Sequence, residues 1–143
     1  IAIDAAGIIY FSDTQNNRIR RVEFFDSDFL TGKVTTIAGT GTAGNTGDGG
    51  LGTLAMISFP QDIEIGPDGN LYFADTNNSR VRMINLSDGT ISAVAGTGVK
   101  GYSGDGGSAL TATLNRPFGI AFDAAGDLYI SDTFNSRVRK VKR

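Results

Sequence analysis

Residues 63–84 read "IEIGPDGNLYFADTNNSRVRMI", and the order of residue types along them decides the fold. Ile63 to Ile65 begins a first short strand. Pro67-Asp68-Gly69-Asn70 is a tight turn in which Gly69 supplies a positive φ. Leu71 to Asp75, "LYFAD", is aromatic and apolar, the composition of a buried strand. "DTNNS" at 75–79 is a polar turn, and Arg80 to Ile84 makes a third strand. After "SDG" at 87–89, Thr90 to Ala95 makes a fourth.

The same stretch occurs twice more without gaps, as "IAIDAAGIIYFSDTQNNRIRRV" from Ile1 and "IAFDAAGDLYISDTFNSRVRKV" from Ile120. Asp13, Asp75 and Asp132 occupy matching places in the three copies. Arg18, Arg80 and Arg137 keep the same spacings, as do Tyr10, Tyr72 and Tyr129. The linking segments repeat as well: "TIAGTGTAGNTGDGG" from Thr36 matches "AVAGTGVKGYSGDGG" from Ala93, at the same offset that separates Asp75 from Asp132. Self-similarity at a fixed period signals a repeat architecture. Four antiparallel strands followed by a long Gly-rich connector describe one blade of a β-propeller. The expected class is all-β, with nearly three four-stranded blades in one domain spanning 1–143. Blade 1 covers 1–38 with connector 39–61, blade 2 covers 62–95 with connector 96–117, and 118–143 gives a third blade without its fourth strand. "LGTLAMI" at 51–57 and "SALTATL" at 108–114 are each expected to make one short helical turn and no more.

Composition removes several kinds of chemistry. The 143 residues contain neither Cys nor His. Disulfides, thiol nucleophiles, Cys/His zinc sites and any histidine general base are thereby excluded. No apolar run approaches the roughly 18 residues of a membrane-spanning helix. There is no signal peptide and the chain starts at Ile1, which reads as a processed chain, an excised piece or a fragment. The net charge is −2. Residues 133–143 hold five basic residues and no acid, while the rest carries 8 basic against 15 acidic residues, a balance of −7. That balance argues against a nucleic-acid surface over most of the chain. The basic end, "RVRKVKR", reads as a strand with solvated Arg and Lys.

The pattern I-A-x-D-x-x-G-x-L-Y-x-x-D-T-x-N-x-R-[IV]-R-[KRM]-[VI], followed by V-A-G-T-G and G-D-G-G, resembles the NHL repeat. It looks most like the tandem NHL repeats of large bacterial exported proteins. The resemblance implies a β-propeller, most often six-bladed, that acts as a rigid binding platform. It also implies an extracellular or periplasmic setting. Within it, Asp13, Asp75 and Asp132, each five residues before Arg18, Arg80 and Arg137, read as architecture. Each carboxylate either caps turn amides or pairs with a guanidinium.

The candidate sites follow. The Gly-Asp-Gly-Gly loops at 47–50 and 104–107 lack the Lys-[Ser/Thr] and following helix of a phosphate loop. Calcium needs several close oxygens, and one Asp per loop, Asp48 or Asp105, is too few without backbone carbonyls. No cofactor is therefore expected, with calcium as the alternative. The insertion "EFFDSDFLTGK" at 23–33 makes the third-to-fourth hairpin of blade 1 five residues longer than that of blade 2. Its Phe24, Phe25 and Phe29 either fold back on the blade or contact a partner. The polar turns and the blade-to-blade loops fall on one rim, where Gln15, Asn16, Asn77, Asn78, Tyr102, Phe134 and Asn135 are candidates to hold a sugar or peptide. An acidic ring on the innermost strands would use Asp4, Glu64 and Asp123, as in a lactonase-like metal site. Glu64 stands where the other repeats have Ala2 and Ala121.

The leading expectation is a non-enzymatic binding module for protein, peptide or glycan, with neither nucleic acid nor membrane insertion. A metal-dependent propeller hydrolase and a purely structural assembly unit are the alternatives. Three blades leave two sheet faces rich in Ile, Val, Phe and Tyr. The expected remedy is a second copy closing a six-bladed ring, or the missing blades of a longer chain.

Overall fold

The computed structural model describes residues 1–24 and 31–143. Their strands form three antiparallel sheets. The first contains β1 (Ala2–Ile3), β2 (Ile9–Asp13), β3 (Arg18–Phe24) and β4 (Gly32–Ala38), in that spatial order. The second contains β5 (Pro60–Ile65), β6 (Leu71–Asp75), β7 (Arg80–Ile84) and β8 (Ile91–Ala95), again in chain order. The third has β9 (Ile120–Phe122), β10 (Leu128–Asp132) and β11 (Arg137–Val141), with β10 in the middle. Sheets whose strands run in chain order, laid face against face, are propeller blades. Single 3-10 turns at Gly52–Leu54 and Ala109–Thr111 are the short turns in the two connectors.

Strand periodicity explains how the blades stack. Successive side chains of a strand point to opposite faces. On β6, Leu71 and Phe73 enter a core shared with blade 1, built around Tyr10, Ile19, Ile57 and Ile91. Tyr72 and Ala74, between them, enter the core shared with blade 3, with Leu114, Ile120, Leu128 and Ile130. Tyr72 meets Phe122 there edge to face, with ring centroids 4.9 Å apart. Blade 2 is thus covered on both sides. Each fully buried large side chain contributes roughly 1.5–3 kcal/mol of transfer free energy.

The polar turns are built identically. Thr14–Asn16, Thr76–Asn78 and Thr133–Asn135 each make one 3-10 turn, closed by a left-handed residue at Asn17, Ser79 or Ser136. In the first two turns, threonine ties the turn to the start of the following blade, to β5 itself in the first case and to the residues just before β9 in the second. Thr14 Oγ1 donates to the Pro60 carbonyl and Thr76 Oγ1 to the Pro117 carbonyl, both at 2.7 Å. The connectors run tight against these turns, and that requires glycine. Gly96 has φ +92, and a Cβ there would lie 2.4 Å from the Ser79 carbonyl oxygen. Within the second connector, Gly104, at φ +91, would drive a Cβ to 2.6 Å from the Ala112 Cα where the connector folds back on itself. No L side chain fits either position.

Phe24 ends β3 opposite Gly32. Residues 25–30 of the insertion, Phe25 and Phe29 among them, lie outside the described residues.

Candidate functional site

The aspartate of each Gly-Asp-Gly-Gly loop faces an arginine on the third strand of the blade that follows. In blade 2 that arginine is Arg82, which is fully buried. Its Nε donates to Asp48 Oδ1 at 3.0 Å. Its Nη2 lies 2.8 Å from the same oxygen and donates to the Thr46 carbonyl at 3.0 Å. Its Nη1 donates to the Met56 carbonyl at 3.1 Å and to Asp75 Oδ2 at 3.4 Å. All five N–H donors of the guanidinium therefore have an acceptor, the condition for burying such a charge. Asp75, also fully buried, accepts from the Ser58 amide and from Asn78 Nδ2, both at 2.8 Å. Burial pushes its carboxyl from the ordinary 3.8 up to about 6, against the pull of these donors and of Arg82.

Blade 3 repeats the arrangement in a more open form. Arg139 Nη2 lies 2.6 Å from Asp105 Oδ1 and donates to the Ser103 carbonyl at 2.9 Å. Its Nη1 faces the Thr113 carbonyl at 3.3 Å and Asp132 at 3.5 Å. Asp132 accepts from the Asn115 amide at 2.7 Å and from Asn135 Nδ2 at 2.8 Å. Tyr102 adds a hydroxyl to Asp105, which holds that exposed carboxyl below its usual range, helped by Arg139. In blade 1, Arg20 reaches Asp13 at 3.6 Å, and its buried Nε has no partner among the described residues.

The aspartate therefore does not pair with the arginine five residues on. Its guanidinium partner is seven residues on, at Arg20, Arg82 and Arg139. Arg80 sits at the strand end, directly across from Asp75, where its long side chain reaches out over the connector. It meets Asp48 at 2.9 Å and the Thr97 carbonyl at 2.7 Å. Arg18 likewise donates to the Thr40 carbonyl at 3.0 Å. Arg137 lies over the Tyr102 ring, 3.8 Å from its centroid. Two residues deeper, the register shifts between Val81 and Arg82, and both residues are buried. A bulge there breaks the alternation that makes Arg82 look solvated in the sequence.

The acidic residues considered for metal are dispersed. Asp48 and Asp105 face guanidiniums. Asp4 Oδ1 accepts from the Ala6 and Ile8 amides, and its Oδ2 from the Tyr10 hydroxyl. Asp123 Oδ1 accepts from the Ala125 and Asp127 amides. Both brace the first turn of their blade, and Asp68 holds the Asn70 amide and the Tyr72 hydroxyl in the same way. Glu64 lies across from Tyr72, its carboxyl pushed up by burial and then by Asp62. Among the described residues, no three acidic side chains gather into a cluster that could hold a metal ion.

On the rim, the polar turns pack against the preceding connectors. The Asn77 amide donates to the Ser58 carbonyl and the Phe134 amide to the Asn115 carbonyl, both at 3.1 Å. Asn78 and Asn135 turn their side-chain amides inward, to the Gly44 carbonyl at 2.6 Å and the Gly101 carbonyl at 2.8 Å. Asn16 donates to Asp13 at 2.8 Å. Of the rim candidates, Gln15, Asn16, Asn77, Phe134 and Tyr102 face solvent. Phe134, 56% exposed, meets Phe118 edge to face at 6.1 Å. The Arg116 guanidinium lies 5.1 Å from the Phe134 centroid. Arg116 precedes Pro117 with φ +49, and Phe59 precedes Pro60 with φ +55. Both are strained for these residue types. Each is held by a hydrogen bond from its amide, to Ser79 Oγ at 3.3 Å and to Asn17 Oδ1 at 2.8 Å. The sequence placed Phe134 on the rim but carried no signal for Arg116, whose strained backbone sets it over the ring.

No family model matches the chain. The protein SUPPRESSOR OF QUENCHING 1, chloroplastic, of Arabidopsis thaliana is 39% identical over 95 residues, covering 66% of this chain and 8% of the plant protein. NHL repeat-containing protein 2 of Bos taurus is 36% identical over 86 residues, covering 59% of this chain and 11% of the bovine one. The chain thus spans about a tenth of these relatives' length. Among solved structures, one of unknown function from Bacteroides thetaiotaomicron superposes with a TM-score of 0.79 at 26% identity, over 94% of this chain and 32% of that one. An auxiliary nutrient binding protein from the same bacterium gives 0.81 at 24% identity, over 98% and 36%. Virginiamycin B lyase from Staphylococcus aureus gives 0.56 at 20%, over 100% and 40%. The last two likenesses are of fold alone. They include a protein described as a binder and an enzyme.

Proposed function

From the premise that this chain is a run of NHL repeats folded as β-propeller blades, we propose that it serves as a non-enzymatic binding platform. The ligand, a peptide or glycan, lies across the rim formed by the polar turns and connectors. The observation that carries this reading is the division of labour among the polar side chains. Asp75, Asn78 and Arg82, with Asp132, Asn135 and Arg139, are spent on one another and on connector carbonyls. What reaches solvent on the rim is the group of Phe134, Phe118 and Arg116, with Tyr102 and Asn77 on the same side. Aromatic faces beside a fixed cation and an amide suit a ring or a peptide plane. The test is an array of glycans and peptides probed with the wild-type chain and with Phe134→Ala. Capture lost on the substitution, with the fold retained, supports the rim. Capture that survives it, or ligand turnover, overturns the reading.

Ring completion belongs to the same proposal. Ile3, 61% exposed, and Val138, 71% exposed, lie on the first and last sheets, and faces of this kind favour association. Two copies would bring the blade count to the usual six, and a setting outside the cytosol fits such a platform. Light scattering distinguishes a pair at twice the 15.0 kDa chain mass from a lone chain.

A further inference from the structure

Two backbone outliers mark one position of the repeat. Phe59 and Arg116 stand at matching places in successive repeats, each before a proline, with φ +55 and +49. The amide of each is held by the left-handed residue that closes the polar turn of the preceding blade, Asn17 for Phe59 and Ser79 for Arg116. A non-glycine residue persists in this region only where its surroundings over-determine it. In both repeats the fold thus fixes this residue by strain at the seam between two blades. One seam carries a ring there and the other a cation.

Arg116 is unlike Arg82 and Arg139, whose guanidiniums face Asp48, Asp75, Asp105 and Asp132. Among the described residues, no carboxylate or carbonyl takes the N–H groups of Arg116, which lies over the Phe134 ring, 5.1 Å from its centroid. The seam between blades 2 and 3 supplies the whole group. The position of Phe134 faces solvent in every repeat: Gln15 and Asn77, its matches, are exposed although another blade follows each of them.

The backbone around this group is occupied. The amides of Asn115, Arg116, Phe118 and Phe134 donate to Asp132, Ser79, Ser131 and Asn115. The carbonyls of Asn115, Pro117 and Phe118 accept from Phe134, Thr76 and Asp62. An extended peptide read through its main chain finds no free row of partners here. What faces solvent is a corner of two rings, Phe118 and Phe134, with planes 65° apart, and an unpaired guanidinium. Side chains of this kind read a sugar by its C–H face and its acid group.

Resting on the rim platform proposed above, we propose that Arg116 makes this site selective for acidic glycans that carry uronate carboxylates. A pyranose lies against the exposed part of the Phe118 and Phe134 corner, and its carboxylate takes the guanidinium fork. The guanidinium is planar, permanently charged and already placed by Phe134 and its strained backbone, so little freedom is lost on capture.

The probes are short oligomers of galacturonate, glucuronate and mannuronate, each beside the same oligomer with its carboxyl groups reduced to alcohols, titrated into the full chain by calorimetry. At least one acidic oligomer should bind saturably, about tenfold tighter than its reduced form. Arg116→Gly removes the guanidinium and suits the positive φ. It should keep the fold in urea unfolding and bring the two forms to equal affinity. Arg116→Lys should keep part of the preference, since it retains the charge without the fork. A glutamate-rich peptide should bind more weakly than the acidic oligomer. Loss of affinity for both forms in Phe134→Ala, with the preference for the acid intact in Arg116→Gly, would leave the rim platform standing and overturn the role of Arg116. No saturable binding by any acidic oligomer, equal binding of the reduced forms by the wild type, or tighter binding of the peptide would also overturn the proposal.

Discussion

Blades 2 and 3 carry nearly the same residues in the same order, yet they hold their arginines differently. Arg82 has no exposed side-chain surface and Arg139 has 11%; Asp48 is 32% exposed and Asp105 59%. The core of the arrangement is shared, with Asp75 and Arg82 matched by Asp132 and Arg139, but Arg80 also pairs with Asp48 while Asp105 takes the Tyr102 hydroxyl instead. The cover sets the difference in exposure. β8 and blade 3 close over blade 2, while Arg139 stays in reach of water. The same ion pair is thus a buried structural lock in one blade and a half-solvated contact in the other. Desolvation, more than distance, decides what each contributes.

The largest expected effect tests that contrast directly. Arg82→Met strands the buried Asp75 and two backbone carbonyls, and should cost about 3–5 kcal/mol. Arg139→Met also leaves a buried aspartate, Asp132, but its other carboxylate partner, Asp105, is mostly solvated, so the loss should be smaller, about 1–2 kcal/mol. Urea unfolding of the two variants side by side measures the difference. Equal losses would mean that cover is irrelevant.

The next effect is in pH. Folded Asp75 titrates near 6, against 3.8 for the ordinary carboxyl. Between these values the folded chain holds a proton that the unfolded chain has released. The associated stability is therefore fully present below about pH 4 and lost as pH rises through about 6, on the order of 2–3 kcal/mol. Asp75→Asn should flatten this part of the curve. Carboxyls held below their usual range, such as Asp68 and Asp105, act in the opposite sense and weaken the fold only in more acid solution. Wild-type and variant unfolding from pH 4 to 7 separates the contributions.

Smaller effects should come from the loops. Asp48→Asn is expected to cost roughly 1–2 kcal/mol. Asp105→Asn should cost clearly less, since Asp105 is mostly solvated, and the same urea series ranks the two. Phe134→Ala should change stability by no more than about 0.5 kcal/mol while removing the rim's largest exposed ring. It sharpens the contrast between residues the fold uses and residues it leaves free.

The sequence carried the architecture well. Period-2 patterning, the glycine turns and the threefold recurrence of the unit marked the strands, their order and the incomplete third blade. The position of Gly-Asp-Gly-Gly once per unit marked it as a building element. Three things were hidden. The pairing of Asp75 with Arg82 sits under the Asp48 loop of the preceding connector, distant in sequence, and "RVRMI" alone reads as alternating solvated and buried residues. The inward turn of Asn78 and Asn135 depends on where the carbonyls of Gly44 and Gly101 pass, each in the preceding connector and distant in sequence. Long-range closeness of that kind leaves no local pattern. Phe134 was legible as an exposed aromatic, but Arg116 was not, because its place over the ring comes from a strained backbone held by Ser79.

The most direct test of the connector as a lock is a double-mutant cycle between Asp48 and Arg82, read by urea unfolding of wild type, Asp48→Asn, Arg82→Lys and the double variant. A coupling of at least about 1 kcal/mol is expected, larger than that for Asp105 with Arg139. Additive losses with no coupling would contradict the lock, and would reduce the Gly-Asp-Gly-Gly loop to a turn that merely passes close to the arginine.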